Sequence, residues 1–148
     1  MTYDHAMEET QRFDAAWEQF VLAIRRSQAR LPQGDDELSL AQYYLMAELA
    51  REGSVPVCQL AERTGTSSPT TSRLLDGLER SGLLVRQRSP SDRRTVLVSL
   101  TPAGQDQFRC KRRQLTRRRR RLYEGLEPGE REQSERLLRH LAELVGQL

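Results

Sequence analysis

Between two apolar runs the chain places Ser89-Pro90-Ser91-Asp92-Arg93-Arg94. Proline presets φ and aspartate hydrogen-bonds its own backbone two residues on, so turn geometry explains Pro90 and Asp92. It does not explain Arg93 and Arg94. Two adjacent guanidinium groups at a turn suit an anionic partner, and Arg86 and Arg88 just before them extend the same basic face towards phosphate. The alternatives are solvated strand edges for that second pair and, at the turn, exposed ion pairs with Asp92. The last is a weak motive, because surface pairs contribute only about 0 to 1 kcal/mol.

Other chemistry has little to work with. Cys58 and Cys110 are too few for a disulfide framework and form no CxxC pair, so both are expected as small, half-buried packing residues. His5 and His140 have no Cys, His or carboxylate partner at ligand spacing, which argues against a metal. Neither an activated nucleophile nor a cofactor motif is visible, so no enzyme and no cofactor are expected.

The net charge of +3 hides an uneven distribution. Residues 1–52 carry 10 acids and 5 bases, residues 53–101 carry 4 and 7, and residues 102–148 carry 7 and 12. The middle third is therefore basic and also contains the arginine turn, which again points to an anionic partner. No stretch approaches the roughly 20 apolar residues of a membrane span, and MTYDHAMEETQRF has acids where a signal peptide would be basic and then apolar. A cytoplasmic protein with no membrane contact is expected.

The elements that must position these residues can be read from periodicity and punctuation. Phe13, Trp17, Phe20 and Ile24 recur at steps of four, three and four, which predicts one long helix over 4–30, ended by the Pro, Gly and paired Asp of 31–37. Ser39 and Gln42 have capping-box spacing for a second helix that runs to Gly53. A helix of barely two turns follows, closed by Gly65. Another is capped by Ser67 or Ser68, with Pro69 in its first turn and Gly82 at its end. Together these two make a helix-turn-helix. The runs 83–88 and 95–100 read as a two-stranded hairpin with the arginine turn at its tip. Thr101 and Pro102 open the next helix, with Phe108, Leu115 and Leu122 every seven residues. A last helix after Gly129 carries Leu137, Leu138, Leu141, Leu144, Val145 and Leu148, a face wide enough to be buried against a second copy.

The stretch LAERTGTSSPTTSRLLDGLERSGLLVRQRSPSDRRTVLVSLTPAG, residues 60–104, resembles the winged-helix core of the MarR family of bacterial transcription regulators. LAE, GTS, TSRLLDGLE, SGLL, DRR and LTPAG agree at the family's intervals. Two departures are mild: Ser72 stands where Thr is usual and Thr71 where an apolar residue is common; Val57-Cys58-Gln59 stands where a Ser/Thr cap and an acidic residue are usual, so a frayed or different cap is expected there.

The resemblance implies a mainly α fold with a small β-hairpin wing, in one domain over 1–148. A winged helix-turn-helix core spans 39–101, and dimerisation helices span 1–30 and 102–148. It also implies a sequence-specific regulator of transcription that binds double-stranded DNA as a homodimer on a pseudo-palindromic operator. Such a regulator represses and is released by a small aromatic or amphipathic effector. Alternatives are a winged-helix module for protein or RNA, or a regulator without a ligand.

In 67–80, Leu74, Leu75 and Leu78 fall on one side and Ser68, Pro69, Ser72, Arg73 and Asp76 on the other. Ser67, Ser68, Pro69, Thr70, Ser72 and Arg73 are the candidate recognition-helix residues, Arg73 for a base and Thr70 and Ser72 for phosphate. The bland readings are capping for the serines and an Arg73–Asp76 pair. The candidate wing residues are Arg86, Arg88, Asp92, Arg93 and Arg94, with Arg94 entering a minor groove and Asp92 holding the loop. Phe13, Trp17, Leu137, Leu141 and Leu144 are candidates for the dimer, with packing inside one subunit as the alternative. Trp17, Tyr43, Tyr44 and Met46 are candidates for an effector pocket, against an ordinary core role. The arginines at 117–121 are expected to form a salt-bridged face with acids of the last helix (Glu127, Glu130, Glu132, Glu135) and the first (Glu8, Glu9, Asp14, Glu18). A nucleic-acid surface is the alternative.

Overall fold

A computed structural model of the chain describes residues 2–30 and 38–147, with side chains from residue 7 onward. The expected break at 31–37 lies outside the described residues. The chain divides into two compact units, Met1–Glu37 and Leu38–Leu148.

The described residues of the first unit form one helix, α1 (Thr2–Ala29). Its stripe forms as expected, with the Phe13 and Trp17 rings stacked at 6.2 Å, and Phe13, Trp17, Phe20 and Ile24 are all exposed.

The second unit begins with α2 (Leu40–Glu52), where Ser39 and Gln42 close the capping box in both directions. Strand β1 (Ser54–Pro56) leads into α3 (Val57–Thr64) and α4 (Ser68–Arg80). The hairpin strands are β2 (Leu84–Arg88) and β3 (Val96–Leu100), and α5 (Pro102–Glu124) and α6 (Pro128–Val145) complete the chain. The two expected strands pair as a hairpin, and the short extended stretch at Val55-Pro56 adds a third strand beside it, so that the sheet runs β1-β3-β2, all antiparallel. Three residues are too few to show strand alternation in a sequence. Here Val55 pairs with Val98 and both side chains enter the core, while Pro56, which lacks an N–H, sits on an edge strand where that loss is tolerated.

Leu45, Met46, Leu49, Leu60, Leu75, Leu78, Leu84 and Val98 form a fully buried cluster under the sheet, and Tyr43 stacks on Phe108 of α5 at 5.3 Å. Along α5 the heptad residues leave the core one after another: Phe108 is buried, Leu115 packs partly against the cluster and Leu122 is 74% exposed. No residue of α6 is buried. Both cysteines are exposed rather than half-buried, since each lies on its helix opposite or beside the residues that face the core.

At one junction the turn after α4, both hairpin strands and α5 meet. Gly82 turns the chain at φ +70, a region favouring glycine, so that Leu83 N–H reaches back to the Leu78 carbonyl. Thr101 then donates its hydroxyl to the Gly82 carbonyl (2.7 Å) and its N–H to the Leu83 carbonyl (3.1 Å), and accepts from Gly104 N–H (3.0 Å) as the cap of α5. A Cβ on Gly104 would lie 1.9 Å from the Leu83 carbonyl oxygen. Backbone cannot yield as a flexible side chain does, so Gly104→Ala is expected to cost about 1–3 kcal/mol or more of stability. A urea unfolding midpoint unchanged from that of the natural chain would contradict this.

Candidate nucleic-acid interface

The turn between α3 and α4 is held by a chain of threonine hydroxyls. Thr64 donates to the Leu60 carbonyl (2.7 Å), Thr64 and Thr66 are 2.8 Å apart, and Thr66 and Thr71 are 2.8 Å apart. This explains Thr71 at a place where an apolar residue is usual: it is 2% exposed, with its hydroxyl satisfied. The repetition of threonine at 64, 66 and 71 was its only signal in the sequence.

Ser67 is the cap of α4. Its Oγ accepts from Thr70 N–H and donates to the Thr70 hydroxyl at 2.9 Å, while Ser68 and Pro69 occupy the first turn. Ser67, Ser68, Pro69, Thr70, Ser72 and Arg73 are all exposed, on the side of α4 away from buried Thr71, Leu75 and Leu78. Arg73 makes no ion pair among the described residues. Its alternative partner, Asp76, is bound elsewhere.

That other partner is Arg86, where expectation and structure part. Instead of facing phosphate, Arg86 reaches from β2 to α4, where Nη2 donates to Asp76 Oδ1 at 2.7 Å and Nη1 donates to Glu79. Partial burial lowers the guanidinium pKa, but the Asp76 hydrogen bond and the Glu79 charge lead the contributions that outweigh it, and the net shift is upward. Seven and ten residues separate the partners, so no local spacing rule reveals the triad.

The wing tip is built around Asp92. Oδ1 accepts from Arg94 N–H (2.9 Å) and Oδ2 from the Thr95 hydroxyl (2.8 Å), while Thr95 N–H reaches the Asp92 carbonyl and Ser89 N–H the Thr95 carbonyl. Both carboxylate oxygens therefore hold the loop, and the Arg93 and Arg94 guanidinium groups make no ion pair among the described residues. Arg88 is likewise exposed and without one.

Of the effector-pocket candidates, Tyr43 and Tyr44 meet edge to face at 5.4 Å, but Tyr43 and Met46 are buried in the core and Tyr44 is 56% exposed; Trp17 belongs to the first unit. Apolar residues at helical spacing filled the core, as periodicity alone would have them do. A shallow cavity of about 280 Å³ lies instead between α2, β3 and α5, lined by Leu49, Gly53, Leu100, Gln105, Phe108 and Arg109. Among the described residues no metal-ligating cluster is found, and no helix is long and apolar enough to cross a membrane.

Two short helices joined by a tight turn, followed by an antiparallel hairpin whose tip carries free arginines, define a winged helix-turn-helix protein. Residues 38–96 match the MarR family model. The HTH-type transcriptional regulator YfiV of Bacillus subtilis is 38% identical over 73 residues, and the HTH-type transcriptional repressor MdtR of the same organism 34% over 68. These stretches cover 49% and 46% of this chain, and 46% and 44%, somewhat under half, of the two relatives. In structure the chain is similar to BpsR of Bordetella bronchiseptica, whose DNA binding is regulated by 6-hydroxynicotinic acid. The TM-score is 0.70 at 25% identity, with 86% of this chain and 98% of that one covered. Residues 38–96 thus form a MarR-family domain, and the fold around them is that of MarR-type regulators.

Two predictions follow from this geometry. Asp92 has its pKa held below the usual 3.8, first by the Arg94 N–H and then by the Thr95 hydroxyl. A depressed folded-state value means that the carboxylate stabilises the loop above the unfolded pKa and loses that effect as pH falls through the folded one. The Arg94 amide proton resonance should therefore titrate with a midpoint below 3.8; a midpoint at or above it contradicts the turn. Arg86→Gln should lower global stability by about 1 kcal/mol or less, since Asp76 and Glu79 are reached by water, yet speed amide exchange along β2. Unchanged exchange would remove Arg86 from its role as the tie between wing and helix.

Proposed function

We propose that the chain is a DNA-binding transcription regulator that acts as a homodimer. The N-terminal half of α4 enters the major groove of each half-site and the wing places Arg94 in the flanking minor groove. The observation that carries this reading is the set of exposed guanidinium groups without a carboxylate partner among the described residues, Arg73 on α4 and Arg88, Arg93 and Arg94 on the wing, around a frame in which Asp76, Glu79 and Asp92 are engaged elsewhere. In this reading Ser68, Thr70 and Ser72 approach phosphate beside the open N-terminus of α4. Arg73 addresses a base edge, most favourably guanine.

The paired state is supported by apolar side chains that the single chain leaves uncovered. Phe13, Trp17 and Phe20 on α1 and Leu137, Leu138 and Leu144 on α6 are each 40–60% exposed, and Leu141 is half-buried. Repression, and release by a small amphipathic acid, are supported by similarity to the repressor MdtR and to BpsR, whose DNA binding 6-hydroxynicotinic acid regulates. The cavity over Phe108, with Arg109 at its edge, suits such a ligand better than the buried Tyr43 and Met46.

Selection of bound duplexes from a random pool tests the reading, followed by titration of the selected site at fixed salt. Arg94→Ala should weaken binding by about 5- to 150-fold, the equivalent of 1–3 kcal/mol, with unfolding unaltered. A random duplex competing as well as the selected one, or unchanged affinity in the variant, would overturn the proposal.

A further inference from the structure

We propose that the outward face of α5 is a second, sequence-independent surface that holds the phosphate backbone of another duplex DNA segment while the winged helix occupies its own site. The inference rests on the DNA-binding reading above and goes beyond it.

Between Asp106 and Glu124 the chain has nine basic residues and no carboxylate. At 100° per residue, Phe108, Lys111 and Leu115 take the inner side of the helix, and Arg109, Arg112, Arg113, Arg117, Arg120 and Arg121 spread over the outer arc, all exposed. Arg109 pairs with Asp106 and Arg120 with Glu124. Arg112, Arg113, Arg117, Arg119 and Arg121 make no ion pair among the described residues. Two of the four α6 acids expected to neutralise the run have other uses: Glu130 accepts from Glu127 N–H at the start of that helix, and Glu135 binds Arg139. Arginines three and four apart on one helix repel one another, so the run weakens α5 unless an anion lies across it.

The geometry selects the anion. From Arg112 to Arg121 the arc is about 14 Å long, and a duplex presents about one negative charge per 1.7 Å, so a single segment offers more phosphates than Arg112, Arg113, Arg117 and Arg121 require. Residues 117–121 also lie about 24–30 Å along α5 from Thr101, where the helix leaves the wing. That distance exceeds the reach of a side chain into the grooves addressed by Arg73 and Arg94. The arc therefore meets DNA other than the site that α4 reads.

The test uses the full chain saturated with a labelled duplex just long enough for the selected site, titrated with an unlabelled random duplex while sedimentation is followed. The natural chain should recruit the second duplex, with affinity falling steeply as salt rises. The variant R112Q/R113Q/R117Q/R121Q should bind the labelled site unchanged and recruit the second duplex at least about tenfold more weakly, with a salt slope shallower by about 3 to 4. Should that variant unfold, R117Q/R121Q should still lose about 2 from the slope. No recruitment by the natural chain, or equal recruitment by a folded variant, overturns the proposal. So does a variant that falls to monomers, since the arc would then be pairing with acids of a second copy. If no preferred site emerges, the DNA-reading head has failed and not this surface, and the same slopes are then read on random duplex alone.

Discussion

The close approach of the first turn of α5 to the Leu83 carbonyl is the constraint on which the rest of the structure depends. It requires glycine at 104, and it lets Thr101 bind the Gly82 and Leu83 carbonyls while capping its own helix. The end of α4, the start of β2, the end of β3 and the start of α5 are joined within a few residues. Whatever α5 is fastened to, α4 and the wing are held to it, because they share its anchor.

The acids and bases of the second unit divide their work. Asp76 and Glu79 hold Arg86 across the gap between α4 and β2, and Asp92 holds its own loop through a backbone N–H and a threonine hydroxyl. Because these carboxylates are engaged in fixing geometry, the arginines beyond them are left with full charge and open donors. Exposed ion pairs add little to stability in themselves. Their effect here is directional: they set where the uncompensated cations point, which decides how an anionic surface is met.

Much of this was legible in the sequence where the determining interaction is local. The capping box of Ser39 and Gln42, the cap of Thr101 with Pro102 beside it, the glycine that closes α3 and the strand runs around the arginine turn all act within a few residues, and spacing rules read them correctly. What was missed depends on contacts between distant residues. Arg86 was read as a phosphate ligand because its two acids lie on another element, and β1 was too short to be a strand without β3 beside it. Tyr43 and Met46 could have faced a ligand or the core; only packing against Phe108 and the leucines assigned them to the core. The apolar stripes of α1 and α6 were visible as stripes, but what covers them is not written within one chain.

Hydroxyl-radical footprinting of the chain on its selected duplex tests the central claim most directly, that two copies present paired reading heads from frames fixed by the Gly104 junction. Two symmetric protected stretches should appear, their centres separated by about one helical turn of 10–10.5 base pairs or a multiple of it, with minor-groove protection beyond them from the two wings. A single asymmetric protected stretch, or uniform protection with no pattern, would contradict the account.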